Sequence, residues 1–84
     1  MLVPVVDLKL TGQNIAVLRK QSGISVRELQ TMLGFATPQA IYKWQKGEAL
    51  PAVDNLVILA DALRVRIDDI LVFQGDARRA QIPA

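Results

Sequence analysis

The 84-residue sequence contains no cysteine and no histidine. Their absence excludes disulfide bonds, zinc sites built from these residues, thiol nucleophiles and acid–base catalysis by imidazole. Aromatic residues make up only 5% of the chain, so aliphatic side chains must build the core. The apolar runs are short, as in residues 2–6, and none is long enough to span a membrane. With no signal-peptide pattern at the N-terminus, we expect a small cytoplasmic domain that needs neither metal nor cofactor.

The rest of the composition is typical of one packed domain with a small core: 51% hydrophobic, 21% charged, and a net charge of +2. The charges are unevenly distributed along the chain. Residues 1–47 carry six basic and two acidic residues (+4), whereas residues 48–84 carry four basic and six acidic residues (−2). This division fits a module that presents one basic face to a polyanion, although ordinary scatter of surface charge gives the same count.

The spacing of apolar residues predicts five short helices. No alternation of apolar and polar residues is long enough to predict a core strand, so the expected fold is all-α. We expect residues 1–10 to form an extended lead-in, residues 11–73 the folded domain, and residues 74–84 a flexible polar tail.

Capping residues predict where the first two helices begin and end. The first helix is expected over residues 12–22, with Thr11 as its N-terminal cap. The second begins at Ser25, where Ser25 and Glu28 have the spacing of a capping box. Gly34 can supply the left-handed conformation that ends this second helix.

The third helix is predicted to begin with Thr37 as its cap and Pro38 at its first position, and to end at Gly47. Steps of 100° per residue divide it into two faces. Ile41 and Trp44 fall on the apolar face, where Trp44 is expected to be a core residue rather than a base-stacking one. The other face is polar and basic, and it consists of Gln39, Tyr42, Lys43 and Lys46.

The fourth helix, which follows Pro51, and the short fifth helix supply the remaining inward positions. The predicted core consists of large apolar residues spaced to face inward on their helices: Ile15, Leu18, Leu29, Leu33, Ile41, Trp44, Leu56, Leu59, Leu63 and Ile70.

The second and third helices, joined by a turn at residues 34–36, have the layout of a helix-turn-helix. An α-helix fits the major groove of DNA, where a glutamine amide such as that of Gln39 can pair with adenine. Lys43 and Lys46 suit phosphates or guanine acceptors. The alternative is that this face is only a solvated helix surface, as polar faces of short helices usually are.

The whole-chain pattern resembles the phage-repressor/Cro-like helix-turn-helix family, also called the Xre family. The matching segments, within residues 12–72, are GQNIAVLRKQSGISVREL, the turn around LGF, AIYKWQKG, LP and NLVILADALRVRIDDIL. The resemblance implies a compact five-helix, lambda-repressor-like domain that binds double-stranded DNA as a repressor-like transcriptional regulator. The candidate DNA-binding residues are then Arg27, Thr37, Gln39, Tyr42, Lys43 and Lys46.

Two departures from the family pattern lie in the second helix and the turn. Gln30 stands where the family usually has a small residue, and the spacing from Gly34 to Ile41 is one residue longer than usual. We expect the Gln30 amide to satisfy backbone groups in the lengthened turn, with contact to DNA as the alternative. Val26 stands where the family often has a phosphate-binding glutamine, which leaves the adjacent Arg27 as the candidate.

Other departures lie nearer the helix ends. Gln45 replaces a glutamate that pairs with the arginine at the position of Arg19, so we expect a hydrogen bond between Arg19 and Gln45. Arg64 replaces a helix-ending glycine, and Arg66 replaces a capping serine or threonine.

Two other function classes compete with DNA binding. A protein-interaction module, or an antitoxin-type regulator, could use the same helical scaffold. An enzyme is the weakest hypothesis, because the only adjacent acids, Asp68 and Asp69, stand where helix-start acids belong.

Whether the chain forms a homodimer stays open. Arg78 and Arg79 are read either as an arm on DNA or as part of a disordered tail.

Overall fold

Five α-helices make up most of residues 4–75, the part of the chain that the computed structural model describes. They are α1 (Leu8–Gln21), α2 (Val26–Leu33), α3 (Gln39–Gln45), α4 (Val53–Leu63) and α5 (Ile67–Ile70). This arrangement confirms the predicted all-α, five-helix fold. None of these helices is long and apolar enough to cross a membrane. The two tail arginines, Arg78 and Arg79, lie outside the described residues.

The first helix begins earlier than the sequence predicts. Asp7 is its cap, and the Asp7 Oδ1 atom accepts a hydrogen bond of 2.9 Å from the Leu10 N–H. Residues 8–10 are therefore helical rather than extended, and the assignment of Thr11 as the cap is wrong. Thr11 is instead fully buried, and its hydroxyl accepts a 2.9 Å hydrogen bond from the Val72 N–H. A buried hydroxyl needs a hydrogen-bond partner, and the Val72 backbone supplies it.

Both ends of the described chain are held together next to α1. The Asp7 N–H donates to the Val72 carbonyl, and the Gln74 N–H donates to the Val5 carbonyl, both at 2.7 Å. These bonds flank an isolated antiparallel bridge between residues 6 and 73. The Asn14 side-chain amide also donates to the carbonyls of Asp69 and Ile70, at 2.8 and 2.9 Å. The end of α5 is thus attached to α1 by hydrogen bonds from both the backbone and side chains.

The core lies where the hydrophobic periodicity predicts it. Nine of the ten predicted residues are buried, and Leu18 alone is only partly buried against the others. The Phe35 ring meets the Trp44 ring edge to face, with centroids 5.7 Å apart. This geometry is one that aromatic pairs favour. The core therefore joins α3 to the turn that precedes it.

The second helix has the predicted ends. The Glu28 N–H donates to the Ser25 hydroxyl, and the Ser25 N–H donates to the Glu28 carboxylate, each at 3.0 Å. Hydrogen bonding to the Glu28 carboxylate, first from the Ser25 backbone N–H and second from the Ser25 side chain, holds the pKa of that carboxyl below its usual value. Gly34 adopts the left-handed conformation at φ 73° and ends the helix.

The start of α3 differs from the prediction in two respects. Pro38 precedes the helix instead of occupying its first position, and no side chain caps the helix, so the assignment of Thr37 as the cap is wrong. The proline fixes φ near its helical value without a cap. The expectation for Gln30 is confirmed, since its side-chain N–H donates to the Phe35 carbonyl at 3.2 Å. Gln30 thus satisfies a backbone acceptor inside the lengthened turn.

The end of α4 shows how the chain manages without the family's usual glycine. Arg64 adopts the left-handed conformation at φ 57°, which costs an ordinary residue roughly 1–2 kcal/mol. Arg66 precedes α5, where its backbone N–H donates to the Asp69 carboxylate at 2.9 Å. Asp69 therefore satisfies the backbone N–H of Arg66, which is the role of the third helical residue in a capping box.

Candidate nucleic-acid interface

The position of α3 is set by two glycines that let it approach α1 closely. A Cβ atom on Gly12 would overlap the carbonyl oxygen of Trp44 and lie 2.9 Å from that of Gln45. Beyond the end of α3, Gly47 has φ 76°, and a Cβ atom there would lie 2.7 Å from the Lys9 Cα. Both points of contact require the absence of a side chain. The C-terminal end of α3 is therefore seated on the first turns of α1.

Seating α3 on α1 leaves the polar side of the helix exposed. Ile41 and Trp44 are buried, at 0% and 4% exposure. Tyr42 is 45% exposed, and the other polar residues of this side are exposed as well. The structure thus separates the two faces as the helical spacing predicts.

The exposed side of α3 forms one open groove. Its lining brings together all four predicted residues of the polar face with one further residue: Gln39, Tyr42, Lys43, Lys46 and Glu48. Together they offer one amide, one phenol, two ammonium groups and one carboxylate. An amide can both donate to and accept from a base edge, and ammonium groups bind phosphates or guanine acceptors. The amide and the two ammonium groups could therefore contact base edges and phosphates.

Glu48 is the groove residue that the sequence analysis missed. It follows Gly47, beyond the end of α3, so helical spacing does not place it on either face. Its backbone N–H donates to the Lys43 carbonyl at 2.9 Å, which folds the chain back over the last turn of α3. The available signal was the helix-ending glycine directly after Lys46, because the chain turns sharply at such a residue.

The other two predicted contact residues lie outside the groove. Arg27 is exposed in the first turn of α2, and Thr37 is exposed in the turn before α3. Neither lines the groove that the α3 residues form. Contact of either residue with DNA stays a prediction.

Arg19 has a structural role beneath this surface. Its Nε atom donates to the Gln45 side-chain carbonyl at 3.1 Å, which confirms the expected pair. Its Nη1 atom also donates to the Ile24 carbonyl at 2.8 Å. Arg19 therefore ties α1 both to α3 and to the segment that leads into α2.

Comparison with known proteins agrees with this arrangement. The helix-turn-helix family model (HTH_3) matches residues 15–70, more than half of the chain. No curated protein matches the chain significantly in sequence. The restriction-modification controller protein C.AhdI from Aeromonas hydrophila is 25% identical, with 76% of this chain and 96% of that chain covered and a TM-score of 0.68.

Two further solved structures share the fold at lower identity. The DNA-binding domain of BldD is 21% identical, with 79% of this chain and 94% of that chain covered and a TM-score of 0.65. The hypothetical transcription factor NHTF from Neisseria is 19% identical, with 89% of this chain and 85% of that chain covered and a TM-score of 0.70. At these identities the likeness establishes the fold.

Proposed function

Because the chain belongs to the helix-turn-helix family, we propose that it is a sequence-specific double-stranded DNA-binding protein that regulates transcription in a repressor-like manner. The similar solved structures include a restriction-modification controller and a DNA-binding domain, which supports this class of function. The proposal assigns base reading to the start of α3 and phosphate binding to its basic side chains.

The groove on α3 is the observation that carries the proposal. Its lining unites the amide of Gln39 with the ammonium groups of Lys43 and Lys46 on one exposed surface. An α-helix with its side chains is about 10–12 Å across, which matches the width of the major groove. Trp44 is buried in the core on the opposite face of the helix. The polar face of α3 can therefore enter the major groove of DNA without exposing apolar surface.

The proposal is tested by selection from a pool of random duplexes with the purified full chain. We expect enrichment of a defined motif, because base edges in the major groove distinguish all four base pairs. An inverted repeat in that motif would indicate two copies of the chain on one site. A pool that stays random after repeated rounds, despite binding at low salt, would contradict sequence-specific recognition.

Replacing Lys43 or Lys46 with alanine is expected to weaken binding to any duplex. Each phosphate contact that is lost should flatten the slope of log affinity against log salt by about 0.9. Fluorescence anisotropy of a labelled duplex over a range of salt concentrations measures both effects. Lys20→Ala is the matched control, because Lys20 is an exposed lysine of α1 that does not line the groove. If both groove variants bind like the Lys20 variant at every salt concentration, α3 does not contact the DNA backbone.

Replacing Gln39 with alanine is expected to relax the preference at one base pair of each half-site, most readily an A·T pair. A glutamine amide that matches adenine is worth about 1–3 kcal/mol against the wrong base. Non-specific affinity should change little, because other residues contact the phosphates. The measurement compares the motifs selected by the parent, by Gln39→Ala, and by the control Gln13→Ala on the exposed side of α1. An unchanged motif would remove Gln39 from base reading.

A protein-interaction module, or an antitoxin-type regulator, is the second candidate function. One observation favours it: Val53 and Val57 lie one turn apart on α4 and are 75% and 54% exposed. The salt titration separates the candidates, since binding through phosphates weakens steeply as salt rises. A chain that binds no duplex even at low salt would favour the protein-binding alternative.

A further inference from the structure

One acidic side chain lies in the otherwise neutral and basic groove of α3. Glu48 is exposed and lines the groove together with Lys43 and Lys46. Its backbone N–H is bonded to the Lys43 carbonyl, but within residues 4–75 its carboxylate has no hydrogen-bond partner. A carboxylate at this place would lie close to any DNA that binds to the exposed side of α3.

The backbone that carries Glu48 is held firmly in place. Gly47 packs so closely on α1 that an added Cβ atom would lie 2.7 Å from the Lys9 Cα and 3.2 Å from the Leu8 carbonyl oxygen. The 2.9 Å bond from the Glu48 N–H to α3 fixes the next residue. The Glu48 side chain therefore extends from a defined backbone position beside the last turn of α3. Its carboxylate, which has no partner among the described residues, can accept a hydrogen bond from a base.

The chemistry of DNA leaves such a carboxylate few favourable partners. Phosphates repel it, and the acceptor atoms of guanine and thymine repel it as well. Only the exocyclic amino groups of cytosine and adenine donate into the major groove. The adenine amino group lies between two acceptors, N7 of adenine and O4 of thymine. The cytosine amino group has an acceptor on one side only, so a carboxylate prefers cytosine.

We propose that Glu48 is a specificity-determining residue that accepts a hydrogen bond from the N4 amino group of one cytosine in the major groove. The same negative charge lowers affinity for every site that lacks a cytosine at this position. Glu48 thus increases discrimination in two ways. Its hydrogen bond strengthens binding to the site with the cytosine, and its charge weakens binding to the other sites. This inference rests on the proposed function, because it requires α3 to lie in the major groove.

The test compares the parent chain with Glu48→Gln and Glu48→Ala. Asp61→Asn is the matched control, because it removes one negative charge from an exposed position of α4 outside the groove. Affinities are measured at two salt concentrations for the selected duplex and for duplexes with each C·G pair replaced in turn. We expect both Glu48 variants to bind non-specific duplex more tightly than the parent. At one C·G pair they should lose discrimination by about 5- to 150-fold.

A chemically altered duplex separates base reading from simple repulsion. N4-methylcytosine at the identified position places a methyl group where the carboxylate would bind, and it should weaken the parent while leaving Glu48→Ala almost unaffected. The proposal is overturned if the Glu48 variants gain affinity equally for all sequences, or if the methyl group weakens the parent and Glu48→Ala alike. A selected motif without a C·G pair overturns it as well. If the parent itself binds no duplex, the proposed function fails, an outcome that differs from all of these.

Discussion

Replacing Trp44 with alanine is expected to lower the free energy of unfolding by about 3–5 kcal/mol, the usual range for emptying a buried aromatic site. Trp44 is 4% exposed, and its indole packs edge to face with the Phe35 ring at 5.7 Å between ring centroids. It lies in the core that α3 shares with the rest of the domain. For a small domain of ordinary stability, a loss of this size approaches complete unfolding.

Urea denaturation followed by circular dichroism measures this loss. Tyr42→Ala is the matched control, since Tyr42 is an aromatic residue of the same helix on the exposed face. We expect the tyrosine variant to unfold close to the parent, because exposed substitutions usually change stability by no more than about 0.5 kcal/mol. A tryptophan variant as stable as the tyrosine variant would show that the indole is not part of the core.

Replacing Gly12 with alanine is expected to destabilise the domain by about 1–3 kcal/mol, the usual cost of overpacking. The new Cβ atom would overlap the Trp44 carbonyl oxygen and crowd that of Gln45. These are backbone atoms of α3, so no side chain can move aside. The helix must shift on α1 as a unit, and we expect weaker DNA binding together with the loss of stability.

The expected loss of stability in Gly12→Ala is opposite to the usual effect of this substitution. At an uncrowded helix position, replacing glycine with alanine would stabilise the protein by about 1 kcal/mol. Gly23→Ala is the control for glycine chemistry: its φ of 71° strains an alanine, but no atom lies within 4 Å of the added Cβ. That variant should lose some stability and keep its affinity for DNA. A Gly12 variant that is as stable as the parent and binds DNA equally well would contradict the seating of α3 on α1.

The residues that the sequence predicted well depend on local periodicity. The nine buried core residues follow from helical spacing, because a helix that buries one face must repeat apolar residues every three or four positions. The Ser25–Glu28 capping box spans only four residues, so its sequence pattern is sufficient. The four groove residues of α3 belong to one short helix, and the same spacing brings them together.

The residues that the sequence predicted poorly depend on distant partners. Thr11 and Asp7 are both good capping residues, and the choice between them is decided by Val72, which is 61 positions away from Thr11 in sequence. Thr37 does not cap α3, because Pro38 precedes the helix with its backbone already restrained. Glu48 comes after a glycine turn, where helical periodicity no longer determines which way a side chain faces.

The most direct test of the central claim is NMR mapping of a duplex added to the isotope-labelled full chain at low salt. If α3 enters the major groove, the largest amide shifts should lie at residues 39–48, with smaller ones near the start of α2. The exposed side of α4 around Val53 and Val57 should stay largely unchanged. Shifts concentrated on α4, with residues 39–48 unaffected, would contradict the assignment of α3 as the DNA-reading helix.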